Sequence, residues 1–326
     1  MNKIKEDGKA LSTDQFAHNV RRGLSSSPKY LLSKYFYDEK GDQLFQEIMN
    51  LKEYYLTECE HEIINNNKRQ LLDIFKDSGT PFQLIELGAG DAVKTQILLK
   101  HFQQKKTEFT YVPIDISQHV LTLLESDLFK NLPSIDVRPF QGEYFTVLDK
   151  LNNSQRARKV LLFLGSTIGN FSYADALNFL KKLNRRMHNN EQVLIGFDLK
   201  KDPQLILRAY NDIHGITARF NLNLLKRINK ELGGNFKEDN FYHYPVYDPI
   251  SGEAKSYLIS KFSHSVKITQ LNRKFHFEKG EAIYMEISKK YDLQELDKLA
   301  QSAGFKIKKR FLDKNQYFAD VLFEKR

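Results

Sequence analysis

The chain has a single cysteine, Cys59, in 326 residues. A lone thiol excludes an internal disulfide and suits a reducing compartment. It also cannot build a thiolate zinc site. The nine histidines show no metal-ligand spacing, and His61-Glu62 lacks the second histidine of a zincin motif. No apolar run approaches the roughly 20 residues a transmembrane helix needs. The start of the chain, Met1-Asn2-Lys3-Ile4-Lys5-Glu6-Asp7, is polar and offers no signal-peptide apolar stretch. Neither a Gly-x-Ser-x-Gly elbow nor a P-loop is present. The expectation is a soluble cytoplasmic protein with no metal and no membrane partner.

What is present is ordinary in bulk and specific in detail. Hydrophobic residues at 41% leave room for an ample core in one large domain or two modest ones. The net charge of +9 raises a nucleic-acid partner. The excess lysines are scattered, with short clusters such as Lys105-Lys106 and Lys308-Lys309-Arg310. A nucleic-acid stripe would be concentrated on one face or interleaved with stacking aromatics. A solvated lysine-rich surface is the plainer reading, and no nucleic-acid partner is expected.

Phe16, Val20 and Leu24 at i, i+4, i+8 suggest a first helix. Tyr35-Phe36-Tyr37-Asp38 and an amphipathic helix around Leu44-Phe45-Ile48-Met49 follow. Thr57 with Glu60 reads as a capping box. From Phe82 onward strands and helices alternate as in a parallel sheet, with strands at 82–87, 109–115, 135–140, 159–164 and 192–198. Helices are expected over 92–103, 117–128 and 172–188, the last opened by Ser172 with Asp175. Alternation then stops. Asp202-Pro203 opens a helical stretch to 230, apart from Gly215, and 240–288 reads as antiparallel strands. A helix at 292–303 precedes two strand-like runs, Phe305–Leu312 and Tyr317–Phe323, joined by a four-residue loop. The predicted fold is α/β: a mostly parallel seven-stranded sheet with a terminal antiparallel hairpin, an architecture that resembles the class I methyltransferase (Rossmann-like) fold, plus an inserted α+β domain.

Two loops at the carboxyl ends of central strands are where such a sheet binds ligands. The first, Glu86-Leu87-Gly88-Ala89-Gly90, lets backbone approach a ligand, though the third glycine of the dinucleotide fingerprint is missing. A tight turn without a ligand is the alternative. Asp115, ending the next strand, can accept both hydroxyls of a ribose, and Glu143 after the third strand can accept from an adenine amine. An adenosine moiety with no need for a pyrophosphate, together with the reversed hairpin, favours S-adenosylmethionine over NAD. The second loop is Leu164-Gly165-Ser166-Thr167-Ile168-Gly169-Asn170-Phe171. With Ser172 placed to cap the next helix, the Asn170 amide is left for a ligand. In the alternating strand Ile283–Ser288, Ile283, Met285 and Ile287 should face one side and Tyr284, Glu286 and Ser288 the other. Glu286 and Ser288 then either line a solvated face or read the donor and acceptor nitrogens of an imidazole. Tyr210, four residues after Ile206, is core packing or ligand contact; Tyr54-Tyr55 is a hydrophobic staple or part of the site.

From about residue 18 to the C-terminus the chain resembles the histidine-specific Nα-methyltransferases of ergothioneine biosynthesis. The matching stretches are Tyr35-Phe36-Tyr37-Asp38, Glu53-Tyr54-Tyr55-x-Thr57, Glu86-Leu87-Gly88-x-Gly90, Phe163 to Asn170, Arg208-Ala209-Tyr210-x-Asp212 and Glu286-x-Ser288. The resemblance implies that Tyr37, Gly88, Lys94, Asp115, Glu143 and Tyr144 contact S-adenosylmethionine. It implies that Tyr54, Asn170 and Tyr210 hold the amino and carboxylate groups of histidine, with Tyr54 and Asn170 catalytic, and that Glu286 and Ser288 read the imidazole. It divides the chain into a donor-binding core, 61–200 and 290–326, and a substrate-binding domain, 1–60 and 201–289, and implies a small amino-acid substrate; a monomer is expected. Glu143 stands where the family has aspartate, and Ser256 stands where a methionine is expected near the imidazole. Leu56 and Glu58 replace a proline and an arginine. A relative acting on another amino acid is therefore the first rival. The second is an RNA methyltransferase or RNA-binding protein, although the Asn/Asp-Pro-Pro-Tyr loop of nucleic-acid amino methyltransferases is absent.

Overall fold

A computed structural model describes residues 13–76, 81–154 and 158–325. Two compact units emerge. One holds Glu58–Leu199 and the chain from Tyr291 onward; the other holds the described residues up to Thr57 and Lys200–Lys290.

The first unit is built on a sheet whose order is Phe305–Leu312, Phe318–Lys325, Gln192–Asp198, Arg158–Phe163, Phe82–Leu87, Phe109–Asp115 and Asp136–Val137. The five pairings among the strands from Gln192–Asp198 to the far edge are parallel. Phe318–Lys325 runs antiparallel to Gln192–Asp198 and pairs with Phe305–Leu312 as a terminal hairpin. This is the expected class I methyltransferase arrangement. The strands Phe82–Leu87 and Gln192–Asp198 are buried at every position, as helices on both faces of a parallel sheet require. The expected third strand is split into Asp136–Val137 and Phe140–Gln141, both on Phe109–Asp115. Pro139 between them has no N–H to continue the ladder.

The helices begin where the sequence offers a cap. Ser117 accepts from Val120 N at 3.3 Å, Ser172 from Asp175 N at 3.2 Å, and Asp292 with Glu295 closes a full capping box. Leu161, Phe163, Val193, Ile195, Phe179, Leu183, Leu299 and Val321 belong to the core these elements share. The carboxyl ends of four of the parallel strands therefore open onto residues 88–92, 115–117, 141–143 and 164–171.

The second unit has a four-stranded sheet in the order Lys29–Tyr30, Ala282–Lys289, Glu253–Ser260, Phe241–Asp248, and a separate hairpin of His264–Ile268 with Arg273–Phe277. Helices Thr13–Leu24, Glu39–Met49, Pro203–Tyr210 and Ile216–Leu232 accompany them. The expected helical stretch after Pro203 is thus two helices, and Gly215 at φ 64° starts the second. Phe16, Val20 and Leu24 bury one face of the first helix against a core that includes Leu224, Ile228, Leu258 and Ile283. Asp38 caps Glu39–Met49 by accepting from Gly41 N at 2.8 Å, and it also accepts from Asn223 Nδ2 at 2.8 Å.

Candidate active site

The glycine turn of the first unit has the backbone it was expected to need. Gly88 and Gly90 lie at φ 75° and 53°, where a side chain is disfavoured. A Cβ on Gly88 would come 2.7 Å from the Tyr144 hydroxyl, whereas one on Gly90 would meet nothing within 4 Å. The loop is therefore packed on one side and open on the other. Gly90 N donates to Asp115 Oδ2 at 3.2 Å and Ser117 N donates to Oδ1 at 2.9 Å. Those two bonds leave half of the carboxylate's roughly four acceptor positions for vicinal hydroxyls. Burial pushes the Asp115 carboxyl above its ordinary range, and the backbone donors from Ser117 and Gly90 oppose that rise. Glu143 is exposed immediately before the helix Tyr144–Ser154. The Tyr144 phenol is raised by burial and by the Asp115 charge. These residues fit an adenosine-bearing donor: an approachable turn, a carboxylate with acceptors to spare and a second carboxylate at the next strand end.

Glu86, inside the glycine motif, does something else. It accepts from Thr95 Oγ1 at 2.6 Å and from the Tyr111 hydroxyl, and burial pushes its carboxyl up to about 7. It ties its strand to the following helix and to the neighbouring strand. Lys94, on that same helix, ion-pairs with fully buried Glu60. Burial works against the Lys94 charge, but Glu60 outweighs it and holds the ammonium above its ordinary value. The capping-box reading of Thr57 and Glu60 is therefore corrected. The helix starts at Leu56, and the Glu60 carboxylate accepts from Gly165 N at 2.8 and 2.9 Å.

The loop after Arg158–Phe163 is held in an unusual backbone. Gly165 and Ser166 both lie in the left-handed region, at φ 74° and 55°, and Ser166 Oγ accepts from Asp198 N at 3.1 Å. A left-handed serine is strained, and such strain concentrates at functional sites. One 3₁₀ turn, Thr167–Asn170, follows and ends on half-buried Asn170. The Asn170 amide makes no hydrogen bond among the described residues, while Ser172 serves as the cap, as the sequence suggested.

In the second unit Tyr54 lies 6.4 Å ring to ring from Tyr210 and 6.5 Å from Phe45. Tyr37 packs edge-on against Phe45 at 5.6 Å and Phe220 at 5.7 Å. Tyr37 and Tyr54 thus meet through Phe45 in one aromatic cluster.

The strand Ala282–Lys289 corrects the alternation argument. Pairing with Glu253–Ser260 runs Ile283↔Leu258 and Tyr284↔Tyr257, then jumps to Glu286↔Ser256 and Ser288↔Ala254. Met285 is the extra residue of a bulge, which moves every later side chain to the opposite face. Glu286 and Ser288 do share a face, but it is that of buried Ile283 and Leu258, and Tyr284 is on the other. Ser288 Oγ accepts from the Tyr210 hydroxyl at 2.8 Å, and buried Lys290 Nζ donates to both hydroxyls, at 2.6 and 2.8 Å. Tyr210 is therefore part of a polar network, unlike its core neighbour Ile206. The Glu286 carboxyl accepts no hydrogen bond among the described residues. Burial pushes it up to about 7 against the pull of Lys290.

Lys290 and His243 were not foreseen. Lys290 directly follows the strand Ala282–Lys289 and carries no motif. His243 Nε2 lies 3.2 Å from Ser256 Oγ, and burial lowers the ring to about 4, so it is neutral at ordinary pH. Its register opposite Leu258 puts it on the face of Glu286. Only that strand pairing, invisible in the sequence, could have found it. Among the described residues no group of His, Cys, Asp and Glu could hold a metal ion, and no helix is long and apolar enough to cross a membrane.

A parallel sheet closed by a reversed hairpin, with a glycine turn facing a strand-end carboxylate, defines a class I S-adenosylmethionine-dependent methyltransferase. Residues 16–325 match the family described as histidine-specific methyltransferase, SAM-dependent, and the chain belongs to that family. It is 31% identical to the histidine N-alpha-methyltransferase of Mycolicibacterium smegmatis over 86% of this chain and 85% of that one. It is 31% identical to the enzyme of that name from Mycobacterium tuberculosis over 88% and 87%. The L-tryptophan methyltransferase of Psilocybe serbica is 28% identical over 90% and 88%.

Proposed function

We propose that this protein transfers the methyl group of S-adenosylmethionine to the α-amino group of L-histidine, three times in succession, giving the trimethylated betaine. The observation that carries this reading is Glu286: a half-buried carboxyl with no donor among the described residues, on one face with Ser288, in a chain belonging to the histidine-specific family. In this reading Glu286 and Ser288 take the two imidazole nitrogens, and Tyr210 holds the carboxylate. Lys290 orients the Tyr210 and Ser288 hydroxyls and adds positive charge toward the anionic end of the amino acid. Tyr54 and Asn170 orient the amine. Gly88, Lys94, Asp115, Glu143 and Tyr144 of the first unit hold the donor, as does Tyr37, and the second unit contributes Tyr54, Tyr210, Glu286 and Ser288. The protein works on a small amino acid in the cytoplasm, with no nucleic-acid partner and as a monomer.

Bound S-adenosylmethionine supplies a methyl group on a sulfonium leaving group. An α-amino group has a pKa near ~8 even in a peptide, so the acceptor amine attacks only after losing a proton. That proton leaves to solvent before each of the three attacks; the neutral amine then needs no further activation, so the rest of catalysis is orientation, which can reach effective molarities of ~10⁵ M or more. Aromatic faces at Tyr54 and Tyr37 suit the cation that grows with each methylation.

A specific observation keeps a second substrate in play. Ser256 and His243 make the wall beside Glu286 polar, and one relative of this chain is named for tryptophan. Calorimetric titration of L-histidine, with L-tryptophan and other amino acids as controls, into protein saturated with S-adenosylhomocysteine separates the two. Selective histidine binding is expected. Binding of another amino acid in its place would transfer the reading to that substrate.

A further inference from the structure

Under the two ligand loops of the first unit lies a buried acidic pair that no step above uses. Glu60 and Asp320 are both fully buried. Asp320 sits opposite Gly196 in the strand pairing, and a Cβ on Gly196 would overlap Glu60 Oε1 and come within 3.0 Å of the Phe318 ring. A glycine in the middle of a buried strand thus makes room for a carboxylate. Glu60 uses that room to reach two targets. It accepts from Gly165 N, at the start of the loop that carries Asn170, and it pairs with the ammonium of Lys94, on the helix after the glycine turn. The Lys94 ammonium in turn lies 3.5 Å from where a Gly165 Cβ would be.

Asp320 explains how two carboxyls coexist there. Neither of its oxygens meets a donor among the described residues if both groups are ionised. Against Glu60, a proton on Asp320 makes the contact a hydrogen bond, and burial with the neighbouring Glu60 charge pushes Asp320 well above the ordinary carboxyl range. One shared proton, one carboxylate and one ammonium leave the cluster neutral.

We propose that Glu60 is a positioning residue for methyl transfer, which ties the Gly165 amide and the Lys94 ammonium into one arrangement and is itself backed by Asp320 acting as a hydrogen-bond donor. Glu60 touches neither donor nor acceptor. It sets the loop bearing Asn170 and the helix bearing Lys94 together, so a residue assigned to the acceptor and one assigned to the donor depend on a single buried charge. This rests on the methyltransferase reading and is indifferent to which amine is methylated.

The test uses the full chain and reads binding of S-adenosylhomocysteine, with native protein as reference, so a failure of the histidine reading leaves it intact. Asp320→Asn replaces a protonated acid by a neutral isostere and is expected to bind within twofold of native. Glu60→Gln keeps the shape and removes the charge; tenfold or greater weakening is expected at temperatures well below its unfolding midpoint, with a raised KM for S-adenosylmethionine. The double variant should be weaker again than Glu60→Gln, because it also loses a second carboxyl that could take up the charge beside Lys94. Native-like binding by Glu60→Gln would overturn the proposal. So would an Asp320→Asn protein that folds but binds tenfold or more weakly than native, and that arm holds even if Glu60→Gln does not fold.

Discussion

Replacing Glu286 by glutamine should make the protein more stable and a worse enzyme. Burial raises this carboxyl from an ordinary 4.5 to about 7, against the attraction of Lys290. An acid raised on folding keeps its proton in the native state after the unfolded chain has lost its own. Stability from this group is therefore full below pH 4.5, falls as pH rises toward 7, and is flat above. Glutamine does not titrate, so the two proteins should match near pH 4.5 and diverge above it. A difference of about 2.5 in pKa, at about 1.4 kcal/mol each, sets an upper limit of about 3.4 kcal/mol. Partial exposure of the side chain reduces that to about 2 kcal/mol. The assay is urea unfolding of both proteins at intervals between pH 5 and 8.5, with histidine binding measured alongside. Glu86 titrates in a similar range but is common to both proteins and cancels in the difference. Stability curves that stay parallel across that range would refute the claim that Glu286 is held at a cost for ligand recognition.

Three other substitutions probe the separate parts of the site. Asp115→Asn keeps an acceptor for Gly90 N but weakens hydrogen bonds to ribose hydroxyls, typically by ~1.5–3 kcal/mol for a charged acceptor; calorimetry should show S-adenosylhomocysteine affinity falling ten- to a hundredfold. Gly88→Ala forces a side chain into φ 75° and within 2.7 Å of the Tyr144 hydroxyl. A left-handed conformation alone costs ~1–2 kcal/mol, so the loop should shift to relieve it and donor binding should drop about five- to thirtyfold, and adding Tyr144→Phe should restore only the part due to the close approach. Tyr210→Phe removes the hydroxyl between Ser288 and Lys290; KM for histidine should rise about tenfold, the effect of a lost bond to a charged partner, while donor affinity stays unchanged in the same titration.

Much of the sheet was legible because buried parallel strands announce themselves as short apolar runs ending in glycine or a carboxylate. Phe82–Leu87, Phe109–Asp115 and Gln192–Asp198 begin and end where the pattern put them. The terminal hairpin was legible from a four-residue loop between two strand-like runs. What escaped was long-range. Thr57-x-x-Glu60 has the spacing of a capping box, and nothing local says that Glu60 reaches Gly165, over a hundred residues away. Met285 fits an alternating strand perfectly well, and only its partner strand turns it into a bulge. That bulge left Glu286 and Ser288 on one face, so the pairing of the two residues was right while the assignment of Tyr284 beside them was not. His243 and Lys290 had no sequence signal because each acquires its meaning from hydroxyls contributed by another strand or helix.

The central claim is tested most directly by incubating the protein with S-adenosylmethionine and L-histidine and following the amino acid by mass spectrometry. The account predicts successive gains of one, two and three methyl groups, all on the α-nitrogen, and no product from Nα-blocked histidine. Methyl groups on the imidazole, or turnover of another amino acid with histidine left untouched, would contradict it.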